Sequence, residues 1–310
     1  MTHPTATRRA VLAAGAGLLA TPALAQTVPY SVGTEKPKLQ APPNATDCHF
    51  HIYNDKYPPA PGGLPAPNAS PDDYRALQRR IGTTRGVVIQ PSLYGTDNRP
   101  TLEGIAALGP NFRGVAVVND KVEDAELQRL HAAGIRGIRF NLAQAGATTP
   151  EMMEPLARRI KPMGWHIQIH APAPVLMAQR ELFQRIDATL VFDHLARIPQ
   201  PAGTGDPAFA FMKSLLEKGN VWMKLSGAYQ DTKSGPPAYA DSSAVARAFA
   251  GIAPDKMVWG SDWPHPTEKP DNKPDDAVLF DLLATWVPDA AARNRVLVDN
   301  PAKLYDFPKA

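Results

Sequence analysis

The sequence predicts an α/β protein folded as a single (β/α)8 barrel with a C-terminal helical extension, and three observations carry that expectation. Eight short runs rich in β-branched or apolar residues recur along the chain. Amphipathic stretches bearing helix start and stop signals fall between them. Near-continuous apolar strands alternating with helices call for a parallel sheet covered on both faces. Eight such units over about 265 residues fit a closed barrel better than an open doubly wound sheet.

The candidate strands are 45–51 (ATDCHFH), 84–90 (TRGVVIQ), 112–118 (FRGVAVV), 135–141 (IRGIRFN), 165–171 (WHIQIHA), 188–194 (ATLVFDH), 220–226 (NVWMKLS) and 256–262 (KMVWGSD). Ser70-Pro71-Asp72-Asp73 opens a helix over 71–81, with Ser70 as N-cap and proline at the first helical position. The run 123–133 carries Leu127, Leu130 and Ala133 near helical spacing and stops at Gly134. Thr149-Pro150-Glu151 opens the next helix, and Asp206-Pro207 opens 207–218, which Gly219 closes. An open sheet would want a glycine-rich phosphate loop after its first strand. Here that strand ends in His-Phe-His, and Gly62-Gly63 arrives late in a proline-rich loop. The segment 52–69 exceeds an ordinary βα turn and is expected to drape over the barrel mouth.

Composition narrows the partner. The 310 residues are 44% hydrophobic, and 33 Lys+Arg against 30 Asp+Glu leave a charge of +3. No basic run suggests nucleic acid, so the expected partner is a small molecule. Cys48 stands alone, which excludes an internal disulfide and a cysteine-based zinc knuckle. Residues 1–25 read as a twin-arginine signal: Thr7-Arg8-Arg9-Ala10-Val11-Leu12, an apolar run to Ala20, and the small-residue site Ala23-Leu24-Ala25. The apolar run is too short to span a bilayer, so cleavage after Ala25 and a periplasmic destination are expected, with no stable membrane insertion. Residues 26–44 read as a linker, and 45–310 as the barrel.

Catalytic groups of such barrels sit at the C-terminal strand ends. The first strand ends in His49 and His51, whose i, i+2 spacing aims both imidazoles at one face. The fourth holds Arg139 and Asn141, the fifth ends in His170, the sixth in His194, and the eighth in Asp262, within Trp259-Gly260-Ser261-Asp262-Trp263-Pro264-His265. Tyr53, Tyr94, Gln90, Asn141, Tyr229, Trp263 and His265 are candidate pocket lining. Cys48 is expected to point away from His49 as a small buried filler. His3, His131 and His166 are set aside by position.

These residues resemble the amidohydrolase superfamily, and within it the amidohydrolase-related (amidohydrolase 2) family of lactonases and decarboxylases. The resemblance spans about 45–307 and rests on HxH at 49–51, His170, His194 and Asp262. The YPPAPGGLPAP loop, Tyr94-Gly95-Thr96-Asp97-Asn98, GIRFN at 137–141, VFDHLAR at 191–197 and SDWPHP bring it toward 2-pyrone-4,6-dicarboxylate lactonase, galactarolactone isomerase and sulfomuconolactone hydrolase. In the dicarboxylate lactonase several arginines grip the substrate. Arg139 matches one of them, while 142–146 and 226–231 offer no second. That lactonase lacks the strand-five histidine that this chain has as His170, and the isomerase carries an amide where this chain has Asp262.

The resemblance implies a hydrolase that opens a small, carboxylate-bearing lactone, with Asp262 as general base and Arg139 on the substrate carboxylate. A carboxy-lyase, a lactone isomerase and a ligand-binding barrel are the alternatives. Two chemistries stay open. His49, His51, His170 and Asp262 form a mixed N/O set suited to one divalent ion, zinc foremost, with a position left for water. No lysine ends the fourth strand to bridge a second ion. Without metal, Asp262 would activate water while His49, His51 and His194 donate to the carbonyl oxygen.

Overall fold

The computed structural model describes residues 1–2, 27–63, 66–144 and 146–308. Eight strands form one sheet: β1 Thr46–Phe50, β2 Arg85–Ile89, β3 Phe112–Ala116, β4 Ile135–Asn141, β5 His166–His170, β6 Leu190–Phe192, β7 Val221–Leu225 and β8 Met257–Trp259. They pair in parallel in sequence order. All eight expected runs are therefore strands. β6 and β8 stop after three residues because the backbone leaves the sheet: His194 to Arg197 all have φ between 49° and 55°, and Asp262 has φ 64°.

Between β8 and β1 the barrel is closed by the residues that follow the strands. Asp262 N donates to His49 O at 2.7 Å, and His51 N donates to Trp263 O at 2.8 Å. Phe50 and Trp263 form the bridge between the two. Closure of the fold and assembly of the strand-end histidines are thus the same set of contacts.

The helices are α1 Pro71–Ile81, α2 Arg99–Leu108, α3 Asp124–Ala132, α4 Met153–Ile160, α5 Ala173–Ala178, α6 Arg180–Arg185, α7 Pro207–Glu217, α8 Ala240–Ile252, α9 Asp276–Trp286, α10 Ala290–Asn294 and α11 Asn300–Tyr305. α1 starts as the sequence predicts: Asp73 N donates to Ser70 Oγ and Ser70 N to Asp73 Oδ2, satisfying two end groups at once. Pro150–Met152 is a 3-10 turn, so α4 begins a turn later than the Thr-Pro-Glu signal suggested.

Inside the barrel, Cys48, Val87, Ile89, Val115, Val191, Trp222 and Val258 pack together, and Leu304, Tyr305 and Phe307 join them from the C-terminal extension. The barrel is a filled core whose contents include side chains from residues 304–307. The pairing of β1 with β2 slips by one between Asp47 and Phe50. That extra residue accounts for Cys48 lying in the interior cluster rather than facing away from His49. Residues 27–44, read as a linker, lie against the barrel: Trp263 Nε1 donates to Pro29 O, Arg80 Nε to Glu35 O, and Leu39 N to Asp281 Oδ1. The expected signal lies outside the described residues apart from its first two. Among the described residues no helix is long and apolar enough to cross a membrane.

Candidate active site

His49, His51, His194 and Asp262 converge at the C-terminal end of the barrel. Asp262 Oδ1 lies 3.4 Å from both His49 Nε2 and His51 Nε2, and 3.7 Å from His194 Nε2. His49 Nε2 and His51 Nε2 are 3.3 Å apart. The other carboxylate oxygen is already held, since Tyr229 Oη donates to Asp262 Oδ2 at 2.6 Å and Gln230 Nε2 at 2.8 Å. Oδ1 is buried and has no hydrogen-bond partner among the described residues.

A second layer fixes the rings. His51 Nδ1 sits 2.8 Å from Ile89 O, a pure acceptor, so the neutral ring carries its proton on Nδ1 and turns the Nε2 lone pair toward Asp262. His194 Nδ1 meets Ser226 Oγ at 2.9 Å. His49 Nδ1 lies between Lys224 Nζ at 3.1 Å and Asp193 Oδ1 at 3.2 Å. Lys224 is wholly buried on β7 and also donates to Cys48 O and Gln168 Oε1. Asp193 accepts from Gln168 Nε2 at 3.1 Å and from Arg139 Nε at 3.2 Å. Gly260 permits this packing, because a Cβ there would come 2.6 Å from His49 Cβ.

Burial, with Lys224 adding to it, holds the His49 imidazole well below its ordinary range. Burial likewise lowers His194, and lowers His170 far more. Burial opposes the Asp193 charge, yet His49, Lys224 and Arg139 outweigh it and hold that carboxyl well below the usual range. Asp262 follows the same pattern, with His194, His51 and His49 as its neighbours. Burial pushes Lys224 down to about 8. Ionised carboxylates therefore face His49 and His194, in which burial favours the neutral imidazole.

This donor set fits one divalent cation. Bonds of 2.0–2.1 Å at tetrahedral angles separate ligand atoms by about 3.3–3.4 Å, the spacing found among His49 Nε2, His51 Nε2 and Asp262 Oδ1. A buried carboxylate oxygen close to three imidazole nitrogens, with the His51 Nε2 lone pair turned toward it, is matched by a positive ion. His49, His194 and Asp262 can each place one ligand atom within 4.8 Å of the others, as can His170, Asp193 and His194. The second trio already faces cations: Arg197 Nη1 is 3.4 Å from His170 Nε2, and Arg139 is on Asp193. His194 therefore stands closer to the ion position than His170, which the sequence had placed in the ligand set.

The cluster opens into a cavity of about 250 Å3 lined by His51, Tyr53, Arg139, His170, His194 and Arg197, among others. Asn141 borders it too. Tyr94 and His265 are not brought to it. Tyr94 Oη braces the mouth loop by bonding Asn54 N and O, and His265 is buried between Tyr229 Oη at 3.0 Å and Asp276 Oδ2 at 3.1 Å. Sequence reasoning passed over Arg197, which the left-handed turn after β6 swings into the cleft and which Asp231 grips at 2.6 and 2.9 Å. It also passed over Lys224, although a lysine inside the apolar run VWMKL is itself a signal, since lysine is rarely buried without a partner.

The family model described as amidohydrolase matches residues 46–307. The chain is 38% identical over 284 residues to 2-pyrone-4,6-dicarbaxylate hydrolase of Comamonas testosteroni, covering 87% of this chain and 92% of that protein. It is 33% identical to 4-sulfomuconolactone hydrolase of Rhizobium radiobacter, covering 85% and 90%. It is 32% identical to D-galactarolactone isomerase of Agrobacterium fabrum, covering 87% and 93%. With a barrel closed through its own histidine-aspartate cluster and relatives of this kind along nearly its whole length, the chain belongs to the amidohydrolase family, as a hydrolase acting on ester bonds.

Proposed function

We propose that this enzyme hydrolyses a small, carboxylate-bearing lactone, with Asp262 as the general base. The observation that carries the reading is the unpartnered, buried Asp262 Oδ1 at the floor of a cleft that also presents two arginines. Arg139 and Arg197 supply the positive charge that a substrate carboxylate needs, each held in place by a carboxylate of the protein. Asp262 Oδ1 takes a proton from the attacking water as the new acyl C–O bond forms. The ring C–O bond then breaks, and Asp262 returns that proton to the departing alkoxide, giving a hydroxy acid.

His49, His51 and Asp262, with His194 beside them, would hold one divalent ion, for which the donor set favours zinc. When bound, such an ion supplies Lewis acidity toward the ester carbonyl and acidifies water. His51 is oriented to serve it, because with Nδ1–H on Ile89 O its neutral ring has no Nε2 proton to offer an oxyanion. His194 retains that option, since Ser226 Oγ can act as donor or acceptor.

Asp262→Asn tests the base. Turnover of carboxylated lactones is expected to fall by about a thousandfold or more, with the thermal midpoint shifted by a few degrees at most; wild-type turnover in that variant overturns the assignment. Product analysis separates hydrolysis from ring isomerisation and from release of carbon dioxide. The same reading takes the twin-arginine pattern as an export signal and assigns the mature enzyme to the periplasm, which cell fractionation of the full chain tests.

A further inference from the structure

Beside the catalytic cleft lies a second cavity of about 310 Å3. Ser92, Asn141 and Gln144 line both, so the two adjoin across a shared wall, where Asn141 Nδ2 donates to Ser92 Oγ at 2.7 Å. Charge is divided unequally between them. The first holds Arg139, Arg197, Asp262 and three histidines, whereas among the described residues no charged side chain lines the second. Its polar lining is Ser92, Thr96, Asn119, Asn141, Gln144 and Thr148.

The walls are built rather than incidental. Ala60 N donates to Leu93 O at 2.7 Å, stitching the mouth loop after β1 to the loop after β2, and Gly63 N donates to Ala60 O at 2.8 Å within the mouth loop. The Asn98 side chain clamps that second loop to the end of β3, donating to Thr96 O and Val117 O and accepting from Val117 N. The loops approach so closely that a Cβ on Gly63 would come 2.5 Å from Leu93 O, and Gly95 has φ 53°. A ligand entering here meets a largely preformed surface.

We propose that this cavity is a second substrate subsite, which takes an uncharged, hydroxyl- or amide-bearing substituent of the lactone ring. The inference rests on the lactone reading and extends it. Amides and hydroxyls both donate and accept, so they match a hydroxylated chain in either sense. A second carboxylate placed here would find no cation, and an alkyl chain would cover the Gln144 amide and Thr148 hydroxyl without pairing them.

The test uses two carboxylated lactones with the same ring, one bearing a short hydroxylated side chain and one bearing hydrogen. The ratio of their kcat/KM values is measured for wild type and for Ala147→Trp and Thr96→Trp, each of which fills the cavity from a different wall. The ratio, hydroxylated over plain, is expected to drop about tenfold or more in both variants, mainly through KM. An unchanged ratio in two folded variants overturns the subsite. If wild type opens neither ring, the lactone reading fails on its own. The subsite is then judged from the dissociation constants of the two ring-opened acids by calorimetry, where the same tenfold change in ratio supports it and equal constants overturn it.

Discussion

At His49 two neighbours compete for one nitrogen. An ammonium hydrogen from Lys224 makes Nδ1 an acceptor and leaves the proton on Nε2, whereas donation to Asp193 frees Nε2 as a ligand. Lys224 thus works against a cation at the Asp262 cluster, and Asp193 works for one. Lys224→Met is expected to raise zinc affinity about tenfold or more, read by competition with a chelator. Equal or weaker binding by the folded variant would mean that Lys224 only fills space. Half of this was legible beforehand. Histidines and an aspartate at strand ends stand out because strand alternation and barrel architecture say where they point. Lys224, Gln168 and Arg197 did not stand out, because their roles depend on partners from β1, β6 and the loop after β7, which no local spacing encodes.

Among the elements, the seam between β8 and β1 matters most, because it closes the barrel and sets the cluster together. Gly260 sits in that seam, where a Cβ would come 2.6 Å from His49 Cβ. Gly260→Ala pushes β8 away from His49, and about 1–3 kcal/mol of stability is expected to be lost, measured by denaturant unfolding. A fall of about a hundredfold in kcat/KM accompanies it, since misplacement near 1 Å suffices; full activity would show that the seam relaxes without moving the histidines. The eight strands were readable because each is a dense apolar run, and their order followed from the alternation with helices. The turns after β6 and β8 were not, because non-glycine residues seldom adopt positive φ and nothing in VFDHLAR or SDWPHP announces it. That backbone places Arg197 in the cleft and His265 behind it.

For the whole molecule, four buried histidines govern the response to acid. His49, His170 and His194 are held below the ordinary imidazole range by burial, and burial pushes His166 down to about 3. The folded chain refuses these protons, while the unfolded chain binds them below its ordinary value near 6.5. Stability is therefore present above about pH 6.5 and lost as pH falls toward the folded values. Asp47, raised to about 6 by burial, opposes this weakly. The metal-free protein is expected to lose stability as pH falls from about 7 to 5. Thermal unfolding across that range checks it, and a flat midpoint would mean that the rings are charged in the folded state. Replacing His166, which has no part in the cleft, with Phe should lessen the slope.

Leu304, Tyr305 and Phe307 complete the packing inside the barrel, although they lie more than forty residues beyond β8 in sequence. During synthesis these side chains emerge after all eight strands, so the interior cannot finish forming until they too have left the ribosome. A messenger cut short before codon 304 would leave a barrel open at its base, an apolar hole that marks the product for proteolysis rather than yielding a shortened enzyme.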